Sequence, residues 1–156
     1  MKTHLRPELG TSLGSAAALL LLAASLPLSI SNTQATIFFV RTNGNDTWSG
    51  TNWVEAKLTV AAAISRATGG DEIWVARGTY PGHLTLKPDL ALYGGFAGTE
   101  AVRDQRDWTN QLSVLWGTTN QAVVNITNAG PVTRLDGFTI GGGNGTPRKN
   151  KKGGRD

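Results

Sequence analysis

A chain of 156 residues has room for one domain, and with no cysteine it has no disulfide framework, no thiol nucleophile and no site for a lipid-modified cysteine. The formal net charge of +4 is unevenly placed. Residues 36–146 hold eight Lys/Arg against nine Asp/Glu, which removes the electrostatic case for nucleic acid.

Lys2 and Arg6 precede an apolar run at 13–24, followed by Pro27 and a polar stretch that reaches Ala35. A basic start, a short apolar core and small residues at Thr33 and Ala35 read as a signal peptide over 1–35, cleaved so that the mature chain begins near Thr36. The run is short of the ~20 residues a membrane span needs, so cleavage is favoured over an anchor and no span is expected afterwards. The expected destination is secretion or the cell surface.

Ile37-Phe38-Phe39-Val40 is a short β-prone run. A polar loop with Asn43, Gly44, Asn45, Asp46, Trp48, Gly50 and Trp53 follows it. Leu58, Ala61, Ala62 and Ile64 then fall at helical spacing in an Ala-rich segment at 56–67, stopped by Gly69-Gly70. The rest reads as short strands, at 72–76, 83–86, 90–93, 112–115, 122–126 and 135–140, set between Gly, Asn, Asp and Pro corners. Three of them begin at Leu90, Leu112 and Leu135, spaced 22 and 23 residues apart, which is the mark of a stacked-repeat architecture. The pattern predicts an all-β solenoid of short parallel strands over 36–143. The helix at 56–67 is expected to cap its exposed strand edges, with Leu58 and Ile64 pointing into the first coil.

Several blocks in order carry a family resemblance: Asn43-Gly44-Asn45-Asp46 with Gly50 and Trp53, the Ala-rich helix, Gly70-Asp71-Glu72-Ile73-Trp74-Val75, Gly78-Thr79-Tyr80, Leu92-Tyr93-Gly94-Gly95-Phe96, Asp104-Gln105-Arg106-Asp107-Trp108 and Leu135-Asp136-Gly137-Phe138-Thr139-Ile140. Together they resemble the N-terminal part of right-handed parallel β-helix proteins of the pectin-lyase-like kind, particularly exported bacterial ones. That resemblance implies an extracytoplasmic β-helix from a group containing polysaccharide lyases and hydrolases as well as surface proteins and adhesins without catalysis. Members of the group continue for several more coils. Here about three coils and one cap pass into a basic tail at 144–156 with Arg148, Lys149, Lys151, Lys152 and Arg155. The expectation is a truncated β-helix whose open C-terminal coil edge can associate, followed by a flexible, solvated tail.

Asp104, Arg106 and Asp107 form the densest charged cluster, and carboxylates beside an arginine suit acid/base work on a sugar. Turn chemistry explains the same aspartates and is preferred. Asn43, Asn45 and Asp46 offer oxygens to calcium, but one carboxylate is too few, so a structural turn is preferred there too. Trp48, Trp53 and Trp108 lie in loops, where they would either stack on sugar rings or serve as buried anchors, the commoner use. Trp74 and Trp116 fall in strands, and His83 is read as a solvent-facing strand position. No cofactor motif is present. The preferred reading is a non-catalytic exported scaffold or adhesin-like fragment that touches polysaccharide or cell-surface glycans. The alternative is a fragment of a pectate-lyase-like polysaccharide lyase or hydrolase. Convergence of Asp104, Arg106, Asp107, Arg134 and Asp136 in one open groove would favour that alternative.

Overall fold

The computed structural model describes residues 34–118 and 120–143. The expected signal segment lies outside these residues except for Gln34 and Ala35, and the expected tail at 144–156 lies wholly outside them. The fold is all-β apart from one α-helix and one 3-10 turn. In chain order it comprises β1 (Ile37–Val40), α1 (Val60–Arg66), β2 (Glu72–Ala76), β3 (Gly78–Pro81), β4 (Leu84–Leu86), β5 (Ala91–Phe96), the 3-10 turn Arg103–Gln105, β6 (Ser113–Trp116), β7 (Val124–Ile126), β8 (Arg134–Asp136) and β9 (Phe138–Gly141).

Every strand pairing is parallel. The strands form three sheets, of orders β1-β2-β5-β8, β3-β6-β9 and β4-β7. From β2 onward the chain visits the sheets in rotation, so strands that follow one another in sequence never pair. Register is set by side-chain alternation, since slipping a strand by one residue would turn its apolar set to the wrong face. Ile73 and Leu92 pair in register and are fully buried in the main core, which lies among the three sheets with Val40, Val75, Tyr80, Leu86 and Leu115.

The even spacing of Leu90, Leu112 and Leu135 does not mark one recurring strand position. Leu90 directly precedes β5 in the first sheet, Leu112 directly precedes β6 in the second, and Leu135 lies in β8, back in the first. True register partners are 19 residues apart from Glu72 to Ala91 and 43 apart from Ala91 to Arg134. Loops of unequal length separate the register partners, so the strand pairing is not periodic in the sequence. The run 135–140, read as one strand, is two: Gly137, at φ +78°, turns the corner between β8 and β9. Gly78–Pro81, read as a closing turn, is a strand of the second sheet.

The helix is shorter than expected. Thr59 is its N-cap, its hydroxyl accepting from the Ala62 N–H at 3.1 Å. The Asp46 carboxylate accepts from the Leu58 and Thr59 N–H groups and the Thr59 hydroxyl, each at 2.9 Å. These bonds fix the chain ahead of the helix, with Thr59 extended, so Leu58 precedes the helix and is 42% exposed instead of pointing inward. Val60, Ala63 and Ile64 are the residues α1 buries, against Phe38 and Val40. The free edge of β1 is closed by a loop and not by the helix. Phe39 N–H donates to the Gly50 carbonyl at 2.7 Å, Lys57 N–H to the Phe39 carbonyl at 2.8 Å, and Arg41 N–H to the Lys57 carbonyl at 3.0 Å.

A second core covers the outer face of the four-stranded sheet. Trp74 stacks on Phe96 with ring centroids 4.8 Å apart and planes 9° apart, while Phe39 meets Trp53 and Trp74 edge-on at 4.7 and 5.5 Å. Over β1, β2 and β5 this sheet is therefore buried on both faces, as parallel sheets usually are, whereas Arg134 on β8 is exposed. Between strands, fully buried Ser113 accepts from the Gly95 N–H at 3.0 Å and turns its hydroxyl to the Val75 and Ala76 carbonyls, leaving no polar atom unmet there.

Candidate functional site

The outer face of the four-stranded sheet carries alternate residues of each strand: Glu72 and Trp74 on β2, Ala91 and Tyr93 on β5, Arg134 and Asp136 on β8. The loop 97–112, between β5 and β6, folds back over this face. It departs through Gly95, whose φ of +92° and close approach to the Trp108 backbone leave no room for a Cβ. The Glu100 carboxylate ties the departing chain by accepting from the Ala97, Gly98 and Thr99 N–H groups. Burial pushes this carboxyl up, but the amides together outweigh burial and hold it below the usual range.

Two arginines from this loop reach the sheet. Arg103 donates to Glu72 at 2.6 Å and to the Tyr93 hydroxyl at 3.1 Å. The other Glu72 oxygen accepts from the Trp74 indole N–H at 2.7 Å. Arg106 meets Asp136 through both guanidinium nitrogens, at 3.2 and 3.3 Å. The Arg103 and Arg106 guanidinium carbons lie 4.7 and 5.0 Å from the centre of the Tyr93 ring, and Arg106 is also 5.0 Å from the Trp108 ring. Each carboxylate here is matched by a cation, and Glu72 by an indole N–H as well.

Of the five residues whose convergence would favour catalysis, only Arg106 and Asp136 pair. Arg134 sits two positions from Asp136 on the same face and lines a cleft of about 360 Å³ with Asp71, Glu72, Asp89, Tyr93 and Val132. Asp104 is exposed in the 3-10 turn. Asp107 serves its own turn, accepting from Thr109 and Asn110 through both backbone and side chain. The Thr109 hydroxyl, the Asn110 amide and the backbone N–H groups hold its carboxyl down at about 2. A group this acidic is ionised across the physiological range and is a poor proton donor.

Of the candidate calcium oxygens, those of Asn45 and Asp46 have structural tasks. Asn45 accepts from the Thr47 N–H and hydroxyl at 2.9 and 2.8 Å, and Asp46 holds 58–59 in place. Asn43 lines a separate hollow of about 480 Å³ with Arg41, Arg77 and Thr99. No group of three His, Cys, Asp or Glu able to hold a metal occurs among the described residues.

The three loop tryptophans divide. Trp53 is an anchor, packed on Phe39 and Phe96 with its indole N–H donating to the Glu100 carbonyl at 2.9 Å. Trp48 is 39% exposed and Trp108 54% exposed. Trp116, on the outer face of the second sheet, is 50% exposed, an aromatic that sequence reasoning left undecided between core and surface. His83 is not a strand residue. It turns the corner before β4 at φ +64°, its Nδ1–H donating to the Ala122 carbonyl at 3.2 Å and its Nε2 accepting from the Thr118 N–H at 3.3 Å. Those partners give the ring a structural role at this corner.

Among the described residues no helix is long and apolar enough to cross a membrane. No family model, no curated protein and no solved structure matches this chain.

Proposed function

We propose that this chain is an exported, non-catalytic scaffold of the right-handed parallel β-helix type, and that the outer face of its four-stranded sheet is the surface it offers to polysaccharide. In this reading α1 caps the first coil, β2-β3-β4 and β5-β6-β7 form complete turns, and β8-β9 begin a third. Rotation of the chain through three all-parallel sheets supports the coil. The order of sequence blocks supports likeness to the pectin-lyase-like group, and the basic and apolar opening of the chain supports export.

The observation that carries the functional reading is the pairing on the outer face. Arg103 with Glu72 and Arg106 with Asp136 consume the charges that an acid/base mechanism would need. Trp108 remains more than half exposed beside them. A neutralised, ordered face with an open indole suits contact with a sugar ring better than cleavage of one.

The test pairs binding with turnover. Retention on a panel of neutral and acidic polysaccharides is expected, falling about tenfold for Trp108→Ala, with no unsaturated product formed. Clear turnover would sink the scaffold reading, and retention unchanged by Trp108→Ala would remove this face as the contact.

A further inference from the structure

β7, β8 and β9 are the last strand of each sheet among the described residues, so each presents an outward edge of N–H and C=O groups. Their inward residues are apolar and only partly covered. Val124, Leu135 and Phe138 pack against the main core from outside it, while Ile126 and Ile140 are 45% and 50% exposed. This rim has the composition of a strand layer awaiting another layer.

We infer that the rim is the dimer interface of this chain, joining two copies tail to tail about a two-fold axis through Leu135. The sequence of β8 selects this partner. When Arg134-Leu135-Asp136 meets a second copy of itself antiparallel and centred on Leu135, Arg134 stands opposite the partner copy's aspartate, and the reverse pair forms by symmetry. Leu135 meets its own counterpart on the core side. In a parallel register the pairs would be Arg on Arg and Asp on Asp, which are repulsive.

The rim's geometry closes on the same axis. β7, β8 and β9 are successive strands of a rising coil, so β9 stands one step above β8 and β7 one step below it. A two-fold through the middle strand lays β9 of one copy on β7 of the other, setting Phe138 and Ile140 against Val124 and Ile126. On the first sheet head-to-tail stacking has no free edge to meet, because β1 is already bonded to Gly50 and Lys57. The β7 and β9 contacts rest on the coil described above, the charge pairing rests on β8 with Asp136 shared between Arg106 and the partner copy's arginine, and neither depends on polysaccharide binding.

The test is sedimentation of the purified chain at about 0.15 M salt, where the Debye length of about 8 Å screens repulsion between two copies of net charge +4. The chain is expected to run as a dimer. Arg134→Glu and Asp136→Lys each create two like-charge pairs and are expected to raise the dissociation constant at least tenfold. An equimolar mixture of the two variants restores both opposite-charge pairs and is expected to return to dimer, with circular dichroism showing that each variant folds. A monomeric wild type, variants that dimerise as well as wild type, or a mixture that stays monomeric would each overturn the inference.

A second readout does not depend on charge. The chain has no cysteine, so Leu135→Cys supplies one thiol, placed opposite its own symmetry mate. It is expected to cross-link to a covalent dimer under mild oxidation, whereas Thr139→Cys on β9 does not. Equal cross-linking of the two would remove the proposed axis.

Discussion

At the β1 edge of the four-stranded sheet the loop 49–57 bonds the strand's free backbone groups, and α1 buries Val60, Ala63 and Ile64 over the core beside it. At the β8 edge no strand among the described residues does the same, and the inward residues of the last strands lie half open. Both edges belong to one sheet with one register, so strand pairing alone does not decide where order ends. What differs is the presence of a segment to meet the last backbone groups. The stability of this fold is therefore expected to be graded, highest near β1 and β2 and lowest at β8 and β9.

Core truncation tests that gradient most severely. Leu92→Ala, in the middle of the sheet and fully buried, is expected to cost about 3 kcal/mol in chemical denaturation, within the range for buried leucines. Measured at concentrations where the chain is monomeric, Leu135, its register partner at the open edge, is expected to lose about 1 kcal/mol on the same change, because part of its surface then meets water. Equal losses would erase the contrast between the two ends.

Asp46→Ala probes how the closed end is held. It removes the acceptor for two backbone N–H groups and the capping hydroxyl, with an expected loss of about 1–2 kcal/mol. A loss confined to β1 and α1 in hydrogen exchange would sharpen the comparison, while a uniform loss would show that the ends are coupled.

The smallest expected effect is acid sensitivity at the same end. Burial pushes the Asp71 carboxyl up, but hydrogen bonds from the Thr68 and Thr36 N–H groups and the Thr68 hydroxyl outweigh it and hold the group below its usual value. An unfolded chain binds that proton first as pH falls. The stabilisation from Asp71 is thus complete above the ordinary carboxylate value of about 3.9 and is lost as pH drops through the lower folded value. Melting temperature measured from pH 5 to pH 2 should fall less steeply in Asp71→Asn than in wild type. Parallel curves would show that the Thr36–Asp71–Thr68 tie contributes nothing to the closed end.

The sequence made the short apolar strands legible because β2 and β6 carry β-branched and aromatic residues and β5 carries Leu92, Tyr93 and Phe96, with Gly, Asp and Pro at the corners between strands. It misled about the repeat because Leu90, Leu112 and Leu135 belong with strands of two different sheets, and sequence spacing carries no label for which sheet a strand joins. Leu58 was misplaced for a related reason. Helical spacing included it, but the carboxylate that binds its N–H ahead of the helix belongs to Asp46, twelve residues earlier. Of the candidate site, Arg106 and Trp108 could be read as a loop cluster, yet their partners Tyr93 and Asp136 lie on strands that only the sheet register brings beneath them. The dual role of tryptophan in loops was also undecidable from spacing, since Trp53 and Trp108 differ only in whether an aromatic layer happens to lie below.

The connection from β2 to β3 is the single residue Arg77, whereas that from β5 to β6 runs through 97–112, and both strand pairs still align in the same two sheets. Chain closure explains this tolerance, because each doubling of a flexible loop adds only about 0.6 kcal/mol. The strand layers thus behave as a rack whose slots accept connections of very different length. New surface can be acquired by insertion at a corner without re-solving the core, and the corner after β5 already carries such an insertion in Arg103, Arg106 and Trp108.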